Sequence, residues 1–280
     1  MKGIEFPANT GQRYYESHYK FFLTMARAAG MKVTVKRLPE DGRGFWFRYK
    51  GIKILVDFGD HRTIGQNIKN YPIIFRYHFS PRIHNKIENC YPLTPISFYD
   101  WDKFNLLKRY IAYRANNHRI LNNQKPGAAA EKRRRFVQAR LIKEYGGWLD
   151  TSITSKEIFW KKINECLVSV CVPGARNDIL DRGQFQYMAF GACTISPPLD
   201  VTLPFWRRPV PNIHYLACRP DYLDLKDRIE WCRENRERCV IIGQNAKILF
   251  HETSTPEKVW AWINNCIEGG YNGKATQRVN

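Results

Sequence analysis

The chain has no apolar run long enough to be a membrane span, which takes roughly 18 residues in succession. Its opening segment, MKGIEFPANTGQRYYESHYK, lacks the continuous apolar core of a secretion signal. No internal repeat or low-complexity tract is present, which sets aside repeat architectures. The eight cysteines (Cys90, Cys166, Cys171, Cys193, Cys218, Cys232, Cys239 and Cys266) form no CxxC pair, so zinc-ligand spacing is absent. In a chain this long they read as reduced, mostly buried thiols of an intracellular, cytoplasmic protein. Acidic residues are scarce: 26 Asp and Glu stand against 45 Lys and Arg, a formal net charge of +19. Such a surface suits phosphates, nucleic acid or an anionic membrane face, and charge alone does not choose among them. Peripheral membrane contact through the basic residues therefore stays open.

What is present is enough apolar matter for a packed core, with 44% hydrophobic and 14% aromatic residues, in a length of 280 that allows one large domain or two small ones. Apolar spacing predicts a helix over 12–29, stopped by Gly30. MKVTVKRLP and YPIIFRYHF read as strands. GFWFRYKGIKILVDF reads as a hairpin turning at Lys50-Gly51. Prolines then cluster in PLTPISFYDWDKF, read as a passage between two halves. Beyond it strands and helices alternate. RYIAYRANN, CLVSVCVPG, CTIS and IHYLAC are strands. Helices are expected from about Ala128 to Gly146-Gly147, from Asp178–Arg182 onward, over YLDLKDRIEWCREN, and from Ser254 or Thr255 with Pro256 in the first turn. This alternation implies an α/β fold with a doubly wound parallel sheet, which binds ligands at the carboxyl ends of its strands. The expected division is a mixed half over 1–103, a doubly wound half over 104–255, and a last helix and tail over 256–280 packing back across the two.

Several constellations bear on chemistry. In PGARNDILDRGQF a strand leads through a Pro-Gly loop to a helix start carrying Asp181 and Arg182. Free backbone N–H groups there favour an anion, and the guanidinium of Arg182 is a bidentate phosphate donor; an Asp N-cap beside a surface arginine is the plainer alternative. YRANNHRILNNQKPGAAAEKRRR repeats the layout, so Arg114, Arg119 and Arg133 are expected to converge on the same phosphates, although EKRRR also reads as a solvated helix face. ILVDFGDHR ends a strand with Asp57 and Asp60, either of which is a candidate general base. Lying three apart on an extended strand, they would point to opposite faces. Asp100-Trp101-Asp102 has the DxD shape that holds a divalent ion against a nucleotide-sugar diphosphate. YGGWLDTS carries Ser152 where the comparable sugar-transferase segment has a second Asp, which removes a ligand.

The ordered series from ILVDFGDH through IIFRYHFS…CYPLTPISFYDW to GQFQYMAFGACTISPPLD…HYLACRPDYLDLKDRIEW and IIGQNAKILF resembles the protein O-glucosyltransferase and capsule xylosyltransferase family, and the exostosin-like glycosyltransferases, those of chlorella viruses included. The resemblance spans about 45–265. It implies a GT-B fold, two Rossmann-like halves facing a cleft, and metal-independent inverting transfer from UDP-xylose or UDP-glucose to a glycan hydroxyl. On it Asp60 matches the catalytic base, with Asp57 as fallback. Arg182 matches the diphosphate-binding arginine, and Arg114 and Arg133 match basic residues of the first strand–helix turn. It implies no cofactor beyond the sugar nucleotide and no nucleic-acid partner. Two rivals stand beside it: a metal-dependent DxD transferase, and a basic nucleic-acid-binding protein without catalysis, which would bind DNA or RNA tightly and salt-sensitively.

Overall fold

A computed structural model describes residues 3–7, 16–28, 30–36, 44–64, 68–94, 101–109, 111–163 and 165–268. The chain forms two compact units. Unit 1 comprises Met1–Tyr99, Thr202–Arg207 and Glu252–Asn280; unit 2 comprises Asp100–Val201 and Arg208–His251. The short return of Thr202–Arg207 to unit 1 has no counterpart in the division read from sequence.

Unit 1 is built on a six-stranded sheet. Its elements are β1 (Gly3–Pro7), α1 (Glu16–Ala28), β2 (Lys32–Lys36), β3 (Gly44–Tyr49), β4 (Ile52–Asp57), β5 (Ile73–Arg76), the single-turn α2 (Pro81–His84) and β6 (Cys90–Pro92). The strand order is β2-β1-β3-β4-β5-β6. β3 pairs antiparallel with β1 and with β4, while the β1–β2, β4–β5 and β5–β6 pairs are parallel. The β3–β4 hairpin turns at Lys50 (φ 52°) and Gly51 (φ 78°). A two-residue type I′ turn requires two positive φ values, because its twist then matches that of the strands. β3 is covered on both faces. Phe45 and Phe47 meet Phe22 of α1 at 5.2 and 6.1 Å between ring centroids. On the other face Trp46 packs with Leu55, Tyr71, Ile74, Phe79 and Cys90, joined by Trp206 from the returning segment.

Unit 2 carries α3 (Trp101–Lys108), β7 (Ile120–Leu121), α4 (Glu131–Tyr145), β8 (Leu149–Asp150), α5 (Lys156–Ile163), β9 (Val168–Val170), α6 (Arg182–Phe190), β10 (Thr194–Ser196), β11 (Leu216–Ala217), α7 (Leu225–Glu234) and α8 (Arg236–Thr253), whose last two residues belong to unit 1. Its five strands lie in the order β11-β10-β9-β7-β8, and every pair is parallel. Numbered within the unit this is the doubly wound order 2-1-3-4-5. Right-handed crossovers then place α4 on one face and α5 and α6 on the other. The contacts follow this division. The Trp160 indole of α5 donates to Gln186 of α6 (2.8 Å), while the Tyr145 hydroxyl of α4 donates to Glu230 of α7 (2.8 Å).

Two local results position the site. Among its described residues RYIAYRANN is not a strand: Ile111, Tyr113 and Ala115 are buried and alternate with exposed residues at 112, 114 and 116, but they pair with no strand, and Ala115 takes φ 53°. The ladder begins at Ile120. In α6 every residue from Gln184 to Phe190 is buried, so the helix presents no single sheet-facing stripe. It ends at Gly191 (φ 76°), whose N–H donates to Met188 O. The last helix, α9 (Pro256–Glu268), belongs to unit 1, where the buried Trp262 indole donates to Pro92 O (2.7 Å) and Trp260 meets Tyr49 at 5.2 Å. Burying an aromatic side chain of this size contributes about 3 kcal/mol.

Candidate functional site

In a parallel sheet every helix that follows a strand begins at the carboxyl edge, and a ligand crevice opens where the winding reverses. Here the reversal lies between β7 and β9. Asn122, just past β7, donates from Nδ2 to Val170 O at the end of β9 (2.7 Å), closing the floor of this edge. Gln124 accepts from Val172 N–H, and its own Nε2 is buried without a hydrogen-bond partner.

Three successive helix starts bring cations to this edge. From the first turn of α4, Arg133 donates to Pro173 O (3.1 Å) and to Gly174 O in the loop after β9, and its Nε is buried with no partner. Arg134 donates to Val172 O (3.2 Å) and Lys125 O (2.9 Å), and pairs with Asp181 Oδ2 (3.2 Å). These two side chains are half-buried, so this part of EKRRR is a loop clamp rather than the solvated face expected from its charge. Lys156 opens α5. The residue as a whole is exposed, and its ammonium donates to Gln186 Oε1 (3.3 Å). Lost hydration, and then the nearby Arg182 guanidinium, lower its pKa to about 8. Arg182 opens α6 and is exposed.

Asp181 is the N-cap of α6. Its Oδ1 accepts from Gly183 N–H (2.7 Å) while Oδ2 meets Arg134. The carboxylate therefore occupies an amide that an anion at this helix start would use, and Asp181 holds the helix start instead of offering itself to a ligand. Arg119 and Arg114 lie elsewhere. Arg119 precedes β7, its carbonyl accepts from Leu167 N–H ahead of β9, and its side chain pairs with Glu165 at 3.4 Å. Arg114 follows Tyr113, whose hydroxyl donates to Leu167 O. Both arginines sit at the amino ends of the strands, so the expected convergence with Arg133 does not occur. Lys156 stands at the carboxyl edge instead, beside Arg133, while Arg134 is committed to Asp181; the signal for them is a basic residue in the first turn of each helix that follows a strand.

In YGGWLDTS the Asp150 carboxylate accepts from Ser152 N–H (3.0 Å), the Ser152 hydroxyl and Lys162 Nζ (2.7 Å). Burial alone would raise its pKa; the Lys162 and Ser152 bonds outweigh that and lower it. Of the DxD, Asp100 lies outside the described residues, and Asp102 falls within α3.

Unit 1 separates its two acids sharply. Asp57, the last residue of β4, is buried; Arg76 Nη1 lies 2.5 Å from its Oδ2, and Gly59 N–H donates to its Oδ1 (2.8 Å). Arg76 is itself wholly buried and also donates to His61 O. Asp60 lies past the strand end, in a bend, so strand alternation does not govern it. Its side chain is 32% exposed, with Oδ1 3.1 Å from Nε2 of the buried His78. One acid is thus neutralised in the core, and the other stands at the surface with an imidazole behind it.

No family model matches the chain. Short segments are similar to two proteins of invertebrate iridescent viruses. Uncharacterized protein 035R of Invertebrate iridescent virus 3 is 53% identical over 36 residues, 13% of this chain. Uncharacterized protein 179R of Invertebrate iridescent virus 6 is 34% identical over 57 residues, 20% of this chain. The matched segments span only 3% and 5% of those two proteins. Among solved structures, the chain is similar to Anabaena Alr3699/HepE, crystallised in complex with UDP and glucose, with 10% identity, a TM-score of 0.45, and coverage of 88% of this chain and 89% of that one. No helix among the described residues is long and apolar enough to cross a membrane.

Proposed function

We propose that the protein is a GT-B glycosyltransferase that takes a UDP-sugar on unit 2 and transfers the sugar to a glycan hydroxyl with inversion. The observation that carries this reading is the gathering of Arg133, Lys156 and Arg182 at three successive helix starts on one edge of a 2-1-3-4-5 sheet. Helix N-termini and basic side chains together favour a diphosphate. Supporting it is the ordered sequence resemblance to UDP-glucose and UDP-xylose transferases, with xylose the preferred donor.

In this reading Asp60 takes the proton of the acceptor hydroxyl as its oxygen attacks the anomeric carbon. The bond from that carbon to the diphosphate oxygen breaks, and UDP leaves with an added negative charge. Arg133, Lys156 and Arg182 meet that charge, the part a divalent ion plays in DxD transferases. His78 holds the Asp60 carboxylate in place, and Asp57 with Arg76 fixes the strand end.

The test is a panel of nucleotide sugars screened for thermal stabilisation, followed by transfer assays with EDTA present and absent. Stabilisation by UDP and by one UDP-sugar, with turnover unaffected by EDTA, is the expected result. No response to any UDP-sugar would overturn the proposal, and activity restored only by Mn²⁺ would overturn its metal independence.

A further inference from the structure

At the opposite, amino edge of the unit 2 sheet three buried thiols meet. Cys193 immediately precedes β10, Cys232 lies on α7 and Cys239 on α8. All three are fully buried, and their sulfurs lie within 4.8 Å of one another. No other Cys, His, Asp or Glu among the described residues joins the group. We infer that Cys193, Cys232 and Cys239 form a three-sulfur site for a single soft monovalent metal ion, copper(I), separate from the sugar-nucleotide edge.

The geometry suits a planar three-coordinate ion. Three sulfurs about 2.3 Å from a common centre stand about 4.0 Å apart, so only small movements close the site. Thiolates select soft ions such as copper(I) and zinc. A structural zinc ion takes four ligands, whereas this group offers three and is closed to water. Arg236, one helical turn before Cys239, donates to Ala115 O (3.1 Å) and contacts His118, and among the described residues it forms no ion pair with a carboxylate. It offsets part of the negative charge of a trithiolate site. Each ligating thiol releases its proton on binding. The bound ion would join α7 and α8 to the start of β10, which makes it a structural clasp.

The experiment is an anaerobic titration of the reduced full chain with copper(I) against a chromophoric copper(I) chelator, with X-ray absorption at the copper edge. Expected are one copper per chain, three sulfur neighbours and a higher melting temperature. Cys193→Ser and Cys239→Ser are expected to abolish uptake; Cys218→Ser, a buried thiol outside the group, keeps it. If a serine variant does not fold, by circular dichroism, the wild-type stoichiometry and coordination decide alone. The inference is overturned if the chelator retains the copper, if uptake survives in folded Cys193→Ser or Cys239→Ser protein, or if the coordination includes nitrogen or oxygen.

Discussion

Arg134 reaches from the first turn of α4 to the Asp181 carboxylate 3.2 Å away, tying together the helix starts that follow β7 and β9. The same carboxylate caps α6, so it is an anion built into an edge proposed to bind anions. Asp181→Ala is expected to cost about 1 kcal/mol for the lost cap and more for the Arg134 ion pair, whereas Asp181→Ser keeps a cap and loses only the ion pair. Both substitutions remove a negative charge and are expected to tighten UDP binding several-fold, measured by calorimetry alongside thermal melts.

Asp57 and Asp60 should behave as opposites. Asp57→Asn leaves the buried Arg76 guanidinium without its counter-charge and is expected to destabilise unit 1 by about 3–5 kcal/mol in a urea melt. Asp60 is partly exposed, so Asp60→Asn should change stability by under about 1 kcal/mol. It should lower the transfer rate by about 10²-fold or more while leaving UDP affinity intact. Normal transfer by Asp60→Asn would remove it as the base.

Lys156 gives a pH signature. Its folded-state pKa of about 8 lies below its ordinary 10.5. Between these values the unfolded chain binds more protons, so this group makes stability rise with pH across that window. UDP affinity should run the other way, weakening from pH 7 to pH 9 as Lys156 loses its charge. Lys156→Met should be weaker at pH 7 and flat across the range, as read by titrations at successive pH values.

Gly243 of α8 packs against the αL glycine that ends α6. A Cβ at Gly243 would stand 1.9 Å from Gly191 O and 2.8 Å from its carbonyl carbon. Backbone cannot yield as a side-chain tip does, so Gly243→Ala is expected to cost about 3 kcal/mol or more, or to prevent soluble expression. Thermal melts against the wild-type chain check this.

Elements with strong local signals were legible in the sequence. The Lys50-Gly51 hairpin, α4, α6, α7 and the strand around Val168 follow from periodicity and turn residues. β6 and β8 are not, since two or three residues of ladder leave little pattern, and neither is β1, although it forms a five-pair ladder with β2. RYIAYRANN misleads for a physical reason: its alternation reports real one-sided burial, but burial does not require a ladder partner. Arg114 and Arg119 accordingly stand at the amino ends of the strands and not at the carboxyl edge expected for them. The arginine at α6 was legible because a charged residue follows an Asp cap. Lys156 is not, because the helix it opens is not among those expected from the sequence pattern. The three thiols at 193, 232 and 239 have no motif spacing; only the fold brings them together.

Trp262 bonds to a carbonyl 170 positions earlier, and Trp206 fills a cluster otherwise drawn from residues 46–90. The first hundred residues therefore hold all six strands of the unit 1 sheet without the side chains that seal it. During synthesis unit 1 must wait, with apolar surface uncovered, until unit 2 has emerged and the chain has come back. Closing contacts of such long sequence separation is slow, and the waiting state is aggregation-prone. Truncation after Tyr99 should accordingly yield an insoluble fragment, whereas supplying 252–280 on the same chain through a short linker should recover part of its solubility.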